Sequence, residues 1–244
     1  MRQHAMAGIA EGTRRSLSPM RPGGTLRLPL VVSFALALLA VGYVAFVLWP
    51  RWPGPAALNA PALPITVAGE LFNVPPAAIR MPVQRRAGPQ ERLDLAFLWP
   101  SLSPPDPAAK PALSEEPNAL DRVFVTIAAA DGTLPPVERI NAIFRRYLTD
   151  EHFESPDGLL IMSFRDGTPY QGEDLYLDAA APERFMTRCT RPGAGGTPGM
   201  CLYEQRIGAA SITVRFPRDW LTDWHGLSRG LDRLLAGLRP AAAP

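Results

Sequence analysis

The stretch CLYEQRIGAASITVRF, residues 201–216, reads as two strands joined by a turn. Ile212, Val214 and Phe216 recur at every second position with polar residues between them, the period of a half-buried strand. Cys201–Ile207 runs toward that segment, and Gly208-Ala209-Ala210 is a turn short enough to pair the two antiparallel. Downstream, Pro217-Arg218-Asp219 opens a helix in which Trp220, Leu221, Trp224, Leu227, Leu231, Leu234, Leu235 and Leu238 recur at spacings of three and four. A face that wide suits a helix lying on a sheet. Upstream, the segment RPGAGGTPGM at 191–200 is too rich in Gly and Pro for regular structure, and Arg184–Thr190 before it is another strand.

Cys189 and Cys201 bracket that loop and are the two cysteines of the chain. In an oxidising compartment an even count favours a disulfide, with a pair of free thiols as the alternative. A zinc site takes about four ligands, and no histidine lies near this pair. A bridge closing a loop of about 13 residues stabilises a domain by about 3 kcal/mol in the chain-entropy account.

Further out, Ile65–Val67, Arg92–Trp99, Arg122–Ala130, Gly158–Arg165 and Asp174–Asp178 read as strands, and Phe72–Arg80 as one or two helical turns capped by Asn73 or Val74. Thr133 can cap a helix begun by Pro135 and Pro136 and supported by Glu138. Its apolar stripe of Val137, Ile140, Ile143, Phe144 and Tyr147 predicts a helix to about Glu151. Pro100–Asn118 is proline-rich, without periodicity, and reads as a long surface loop. Runs of strands with one helix in the middle and one at the end predict an α+β fold: an antiparallel or mixed sheet with two main helices packed on it.

Ahead of this domain lies LPLVVSFALALLAVGYVAFVLW, residues 28–49, with no charged side chain. As a helix it spans about 33 Å, against about 30 Å of bilayer hydrocarbon. One alternative is a buried helix of a soluble protein, but core helices seldom run so long without a polar face. A second is a cleaved signal peptide, but its apolar region is usually about 7–15 residues and ends at a small-residue site. Here the segment runs into Val47-Leu48-Trp49-Pro50-Arg51. Arg2, Arg14, Arg15, Arg21 and Arg27 precede it against Glu11 alone, which predicts a cytoplasmic N-terminus and an external C-terminal domain. The predicted organisation is therefore a disordered tail at 1–27, a transmembrane helix at 28–49, a proline-rich linker at 50–63 and a periplasmic α+β domain at 64–244.

Past residue 52 acids outnumber bases, so the outer part is no basic nucleic-acid surface. Lys110 is the one lysine beside many arginines, a compositional bias that lowers the weight of any arginine cluster. No nucleophile elbow, metal-binding His-Glu-x-x-His, Walker loop or dinucleotide fingerprint occurs, and no cofactor is expected. His152 reads as a cation at a helix end and His225 as an ordinary helical side chain. The most distinctive polar stretch is RDGTPYQGED, 165–174. Asp166, Tyr170, Glu173 and Asp174 are its candidate partner or ligand contacts; the carboxylates suit acid–base hydrolysis, and the plainer reading is a solvated turn.

The segments Val67–Pro76, Asp94–Pro100 and Val214–Trp220 resemble uncharacterised single-span membrane proteins of Gram-negative bacteria with a periplasmic domain. The resemblance covers most of the outer domain and implies no catalytic residues. With the anchor and the cysteines it points to a non-catalytic, inner-membrane-anchored domain that contacts the bilayer through 28–49 and binds or scaffolds an envelope protein. The competing expectation is a periplasmic hydrolase using the carboxylates of 166–174.

Overall fold

In the computed structural model, residues 27–48, 56–106, 121–193 and 199–240 are described. The expected disordered tail and parts of the linker, of the 100–118 loop and of the inter-cysteine loop lie outside these residues. The chain divides into two units, 1–51 and 52–244. In the first, α1 (Arg27–Leu48) is an uninterrupted helix with exposed apolar side chains from Leu28 to Leu48.

The hairpin at 200–217 forms as read. Strands β10 (Met200–Ile207) and β11 (Ala210–Pro217) pair antiparallel from Met200↔Pro217 to Ile207↔Ala210. Gly208 and Ala209 form a two-residue turn; Gly208 has φ 54°, a conformation the right-handed twist of a hairpin demands and L residues resist. Around this pair lies an eight-stranded sheet, and every pairing in it is antiparallel. Its order is β4 (Arg92–Leu98), β5 (Arg122–Ala129), β11, β10, β9 (Met186–Thr190), β8 (Glu173–Asp178), β7 (Leu159–Phe164), β6 (Leu148–Glu154). Strands β6 to β11 follow one another as a meander, and the earlier β4–β5 hairpin closes onto β11. A second sheet has the order β2 (Glu70–Val74), β1 (Leu63–Val67), β3 (Gly88–Gln90).

The terminal helix α3 (Trp224–Gly237) follows a 3₁₀ segment at Arg218–Asp223. The Asp223 side chain caps it by accepting from the Gly226 N–H at 3.0 Å. Trp224, Leu227, Leu231, Leu234 and Leu235 are buried, and they join Val125, Ile127, Ile212, Val214 and Phe216 of the sheet with Ile65, Val67, Phe72 and Val74 of the small sheet in the main core. Gly230 permits a close approach: a Cβ there would stand 3.0 Å from the Trp99 ring, which stacks on Trp220. The Asn73 N–H donates to the Leu238 carbonyl at 2.8 Å, pinning the far end of α3 to β2.

Three local expectations differ. Residues 70–74 are a strand, and the proline-started turn is confined to Pro76–Ala78. The helix expected from Thr133 to Glu151 is cut to α2 (Glu138–Ala142) and a 3₁₀ turn at Phe144–Arg146, because the backbone breaks at Ile143 (φ −127°). Leu148–Glu154 is instead β6, so His152 sits in a strand rather than at a helix end. The stripe still does its work in that shorter form: Ile140, Ile143 and Tyr147 pack on Phe144, Leu148, Phe164, Leu175, Leu177 and Met186, a second core on the sheet face away from α3.

Candidate functional site

The polar stretch singled out in the sequence lies where β7 turns into β8 and β9 runs alongside. Successive residues of a strand project to opposite faces, so Glu173 and Asp174 cannot act as a pair. Glu173 points to the second-core face and meets Arg188 of β9 at 2.9 Å. The Arg188 guanidinium lies 5.0 Å from the Tyr170 ring centroid and 5.7 Å from that of Phe144. Tyr170 is not presented to solvent as a lone contact residue. Its ring packs edge-on to Phe144 at 5.3 Å and against Phe164 at 4.9 Å and Tyr147 at 5.7 Å. Loop 165–172 is thus fastened by an aromatic cluster, and such ring contacts each add about 0.5–1.5 kcal/mol beyond area burial.

Asp174 belongs to the other face and is buried. Its Oδ1 accepts from Ser163 Oγ at 2.8 Å and Arg191 Nε at 2.8 Å, and its Oδ2 faces Arg218 Nη2 at 3.6 Å. Arg191 also donates to the carbonyls of Phe164 and Glu173. Arg218 covers the Tyr176 ring at 5.4 Å. Burial pushes the Tyr176 hydroxyl above its ordinary range, and the neighbouring Arg218 offsets part of this. Asp166 is exposed at the tip of the turn. Of the four, only Glu173 and Tyr170 come together, through Arg188; Asp166 and Asp174 stand apart from them.

A second buried acid, Asp178, ends β8. Its Oδ1 accepts from the N–H groups of Ala180 and Ala181 at 2.9 and 3.2 Å, and Arg184 meets its Oδ2. Burial opposes its ionisation, but the Arg184 and backbone donors prevail and hold the carboxyl below its usual range. The arginines that complete these pairs, Arg184, Arg188, Arg191 and Arg218, were missed in a chain where arginine is commonplace. The β9 alternation was the available signal, because Met186, Arg188 and Thr190 fall on one face.

Cys189 and Cys201 are register partners on β9 and β10, with Cα atoms 3.9 Å apart and the sulfurs bonded. Among the described residues no group of three His, Cys, Asp or Glu side chains is placed to hold a metal ion. A cleft of about 530 Å³ opens elsewhere, between Asn73, Phe97, Leu102 and the Arg233–Leu238 end of α3. Another of about 330 Å³ lies by Gln205, Arg206, Asp232 and Arg239. Neither touches the 166–174 loop.

The class defined here is an α+β domain with a meandering antiparallel sheet covered by a C-terminal helix. Two solved structures match the chain in comparison. One is an immunity protein of the Stenotrophomonas maltophilia type IV secretion system, 15% identical, with TM-score 0.50 over 74% of this chain and 94% of that one. The other is the iron-regulated outer membrane lipoprotein FrpD of Neisseria meningitidis, 10% identical, with TM-score 0.46 over 76% and 96%. The first likeness is one of fold. No family model and no curated protein matches the chain.

Proposed function

We propose that this is a single-span inner-membrane protein with a cytoplasmic N-terminus, whose periplasmic domain at 64–244 binds or scaffolds another envelope component and catalyses no reaction. The observation that carries the non-catalytic half is the fate of the acids: Glu173, Asp174 and Asp178 are each held by arginines in structural pairs. General acid–base work needs a carboxyl free to exchange a proton with a bound substrate. The anchoring half is supported by α1, long enough to cross a bilayer and apolar on every side. A fold shared with a protein of a secretion system is in keeping with a place in the envelope.

The test has two parts. In spheroplasts, added protease is expected to remove the C-terminal domain while the N-terminal tail stays protected, and mild crosslinking followed by capture from membranes is expected to return a protein partner. A mature chain free in solution, or no partner under crosslinking, overturns the reading. So does hydrolase activity of the purified chain that disappears in an Asp166→Asn, Glu173→Gln variant.

A further inference from the structure

The register of the sheet lines up one residue from every strand on the α3 face: Leu95, Val125, Val214, Tyr203, Thr187, Tyr176, Ile161 and Phe153. The first six are buried, Ile161 is half-buried, and Phe153 at the β6 end is 62% exposed. The two ends of this row are finished differently. At the β4 edge, Ile79 makes an antiparallel bridge to Leu95, the Arg80 N–H donates to the Asp94 carbonyl, and the Gln84 side chain bonds both the Asp94 N–H and the Arg92 carbonyl. At the β6 edge, no further strand is paired among the described residues.

The Ser155 N–H donates to the Leu159 carbonyl and the Ser155 carbonyl accepts from the Gly158 N–H, so both backbone groups of Ser155 turn toward β7 where the hairpin closes. Alternation then turns the N–H and C=O of Phe153 toward β7 and those of His152 and Glu154 outward. An open edge of this kind is a template for another strand. Asp150, Glu151 and Glu154 make it acidic, and all three are exposed. A second copy of the chain paired about Phe153 would crowd the carboxylates of both edges together, which disfavours self-association.

We propose that β6 receives a ninth strand: an extended, basic segment of the protein partner, with an apolar residue across from Phe153 and an Arg or Lys across from Glu154. Its backbone would use the outward groups of His152 and Glu154, its apolar side chain would bury Phe153, and its cations would neutralise the edge. This rests on the binding reading above and adds the surface and the partner's chemistry.

The test places the photocrosslinker p-benzoylphenylalanine at position 153 of the full-length chain in cells of the native bacterium. The same crosslinker at position 102, beside the α3 cleft, serves as comparison. The joined peptide is then identified. The expected adduct at 153 carries a segment in which Arg or Lys alternates with apolar residues. A His152→Pro change, which removes an outward N–H, should lower its yield about tenfold through the lost backbone bonds. Glu154→Lys, which leaves the backbone intact, should lower it as well. An adduct with a second copy, a joined segment lacking basic residues, or a yield unmoved by both variants overturns the proposal. A partner trapped at 102 and none at 153 sinks the edge strand and keeps the binding reading. No adduct at either site and none with a general crosslinker sinks both.

Discussion

The sheet is built differently in its two halves. Strands β4, β5, β11 and β10 meet α3 through aliphatic and aromatic side chains, and their row from Leu95 to Tyr203 is fully covered. Strands β9 to β6 are finished with ion pairs, an aromatic cluster on the far face and an open edge. The reason is one of length. Helix α3 begins with Trp224 against Phe185, just before β9, and ends where Leu238 meets Asn73 of β2. Its 14 residues reach about 21 Å, or four to five strand spacings of about 4.8 Å. Eight strands exceed that reach, so the far half closes with arginines and carboxylates, and two of the acids that stand out in the sequence, Glu173 and Asp174, are consumed there.

The contrast can be broken by substitution. Leu231→Ala, in a fully buried site under α3, is expected to cost about 2–5 kcal/mol in urea unfolding of the purified chain. Reducing the Cys189–Cys201 bridge, which joins β9 to β10 at the seam between the halves, should cost about 3 kcal/mol. Asp174→Ala should cost about 1–3 kcal/mol, because Arg191 and Arg218 lose a buried acceptor yet keep contact with water. If Asp174→Ala unfolded the protein more readily than Leu231→Ala, the charged half would be the tighter one and the comparison would invert.

Titration sharpens the same contrast. The folded-state carboxyl of Asp178 lies below its unfolded value of 3.8, so its stabilising effect is present above that pH and is lost as pH falls through the lower folded value. Asp94, half-buried but held by Arg92, Gln84 and Thr126, behaves the same way at the opposite edge. Burial and the Asp232 carboxylate push Tyr203, under α3, up to about 12 from 10.0. Its contribution is complete below pH 10.0 and disappears as pH rises toward about 12. Stability profiles of Asp178→Asn and Tyr203→Phe should therefore flatten on the acid and the alkaline side respectively; a Tyr203→Phe curve identical to the parent above pH 10 would remove the tyrosine from this account. The smallest effects belong to the loop. Glu173→Gln should cost up to about 1 kcal/mol, and exposed Asp166→Asn should stay within about 0.5 kcal/mol.

Legibility followed periodicity. The strands from Leu93 to Phe216 with two-residue alternation, and the α3 face, were readable because burial on one side writes itself into residue order. Strand β6 was not: in LTDEHFE only Leu148 is buried, so an edge carries no alternation to read. The Val137–Tyr147 stripe predicted a helix of the wrong length because apolar spacing reports a face and not where the backbone breaks. Tyr170 looked like a contact residue because nothing local says that Phe144 and Phe164 stand beside it.

Residue order alone determined the uncharged span at 28–49, the α+β class, the β10–β11 hairpin and the one possible cysteine pairing, since each depends on neighbours within a few positions or on a count. Only the tertiary structure decided the strand order, the partners of the buried acids and which sheet edge is left unpaired among the described residues. Those follow from how far a helix of fixed length reaches across eight strands, a distance that no local pattern encodes.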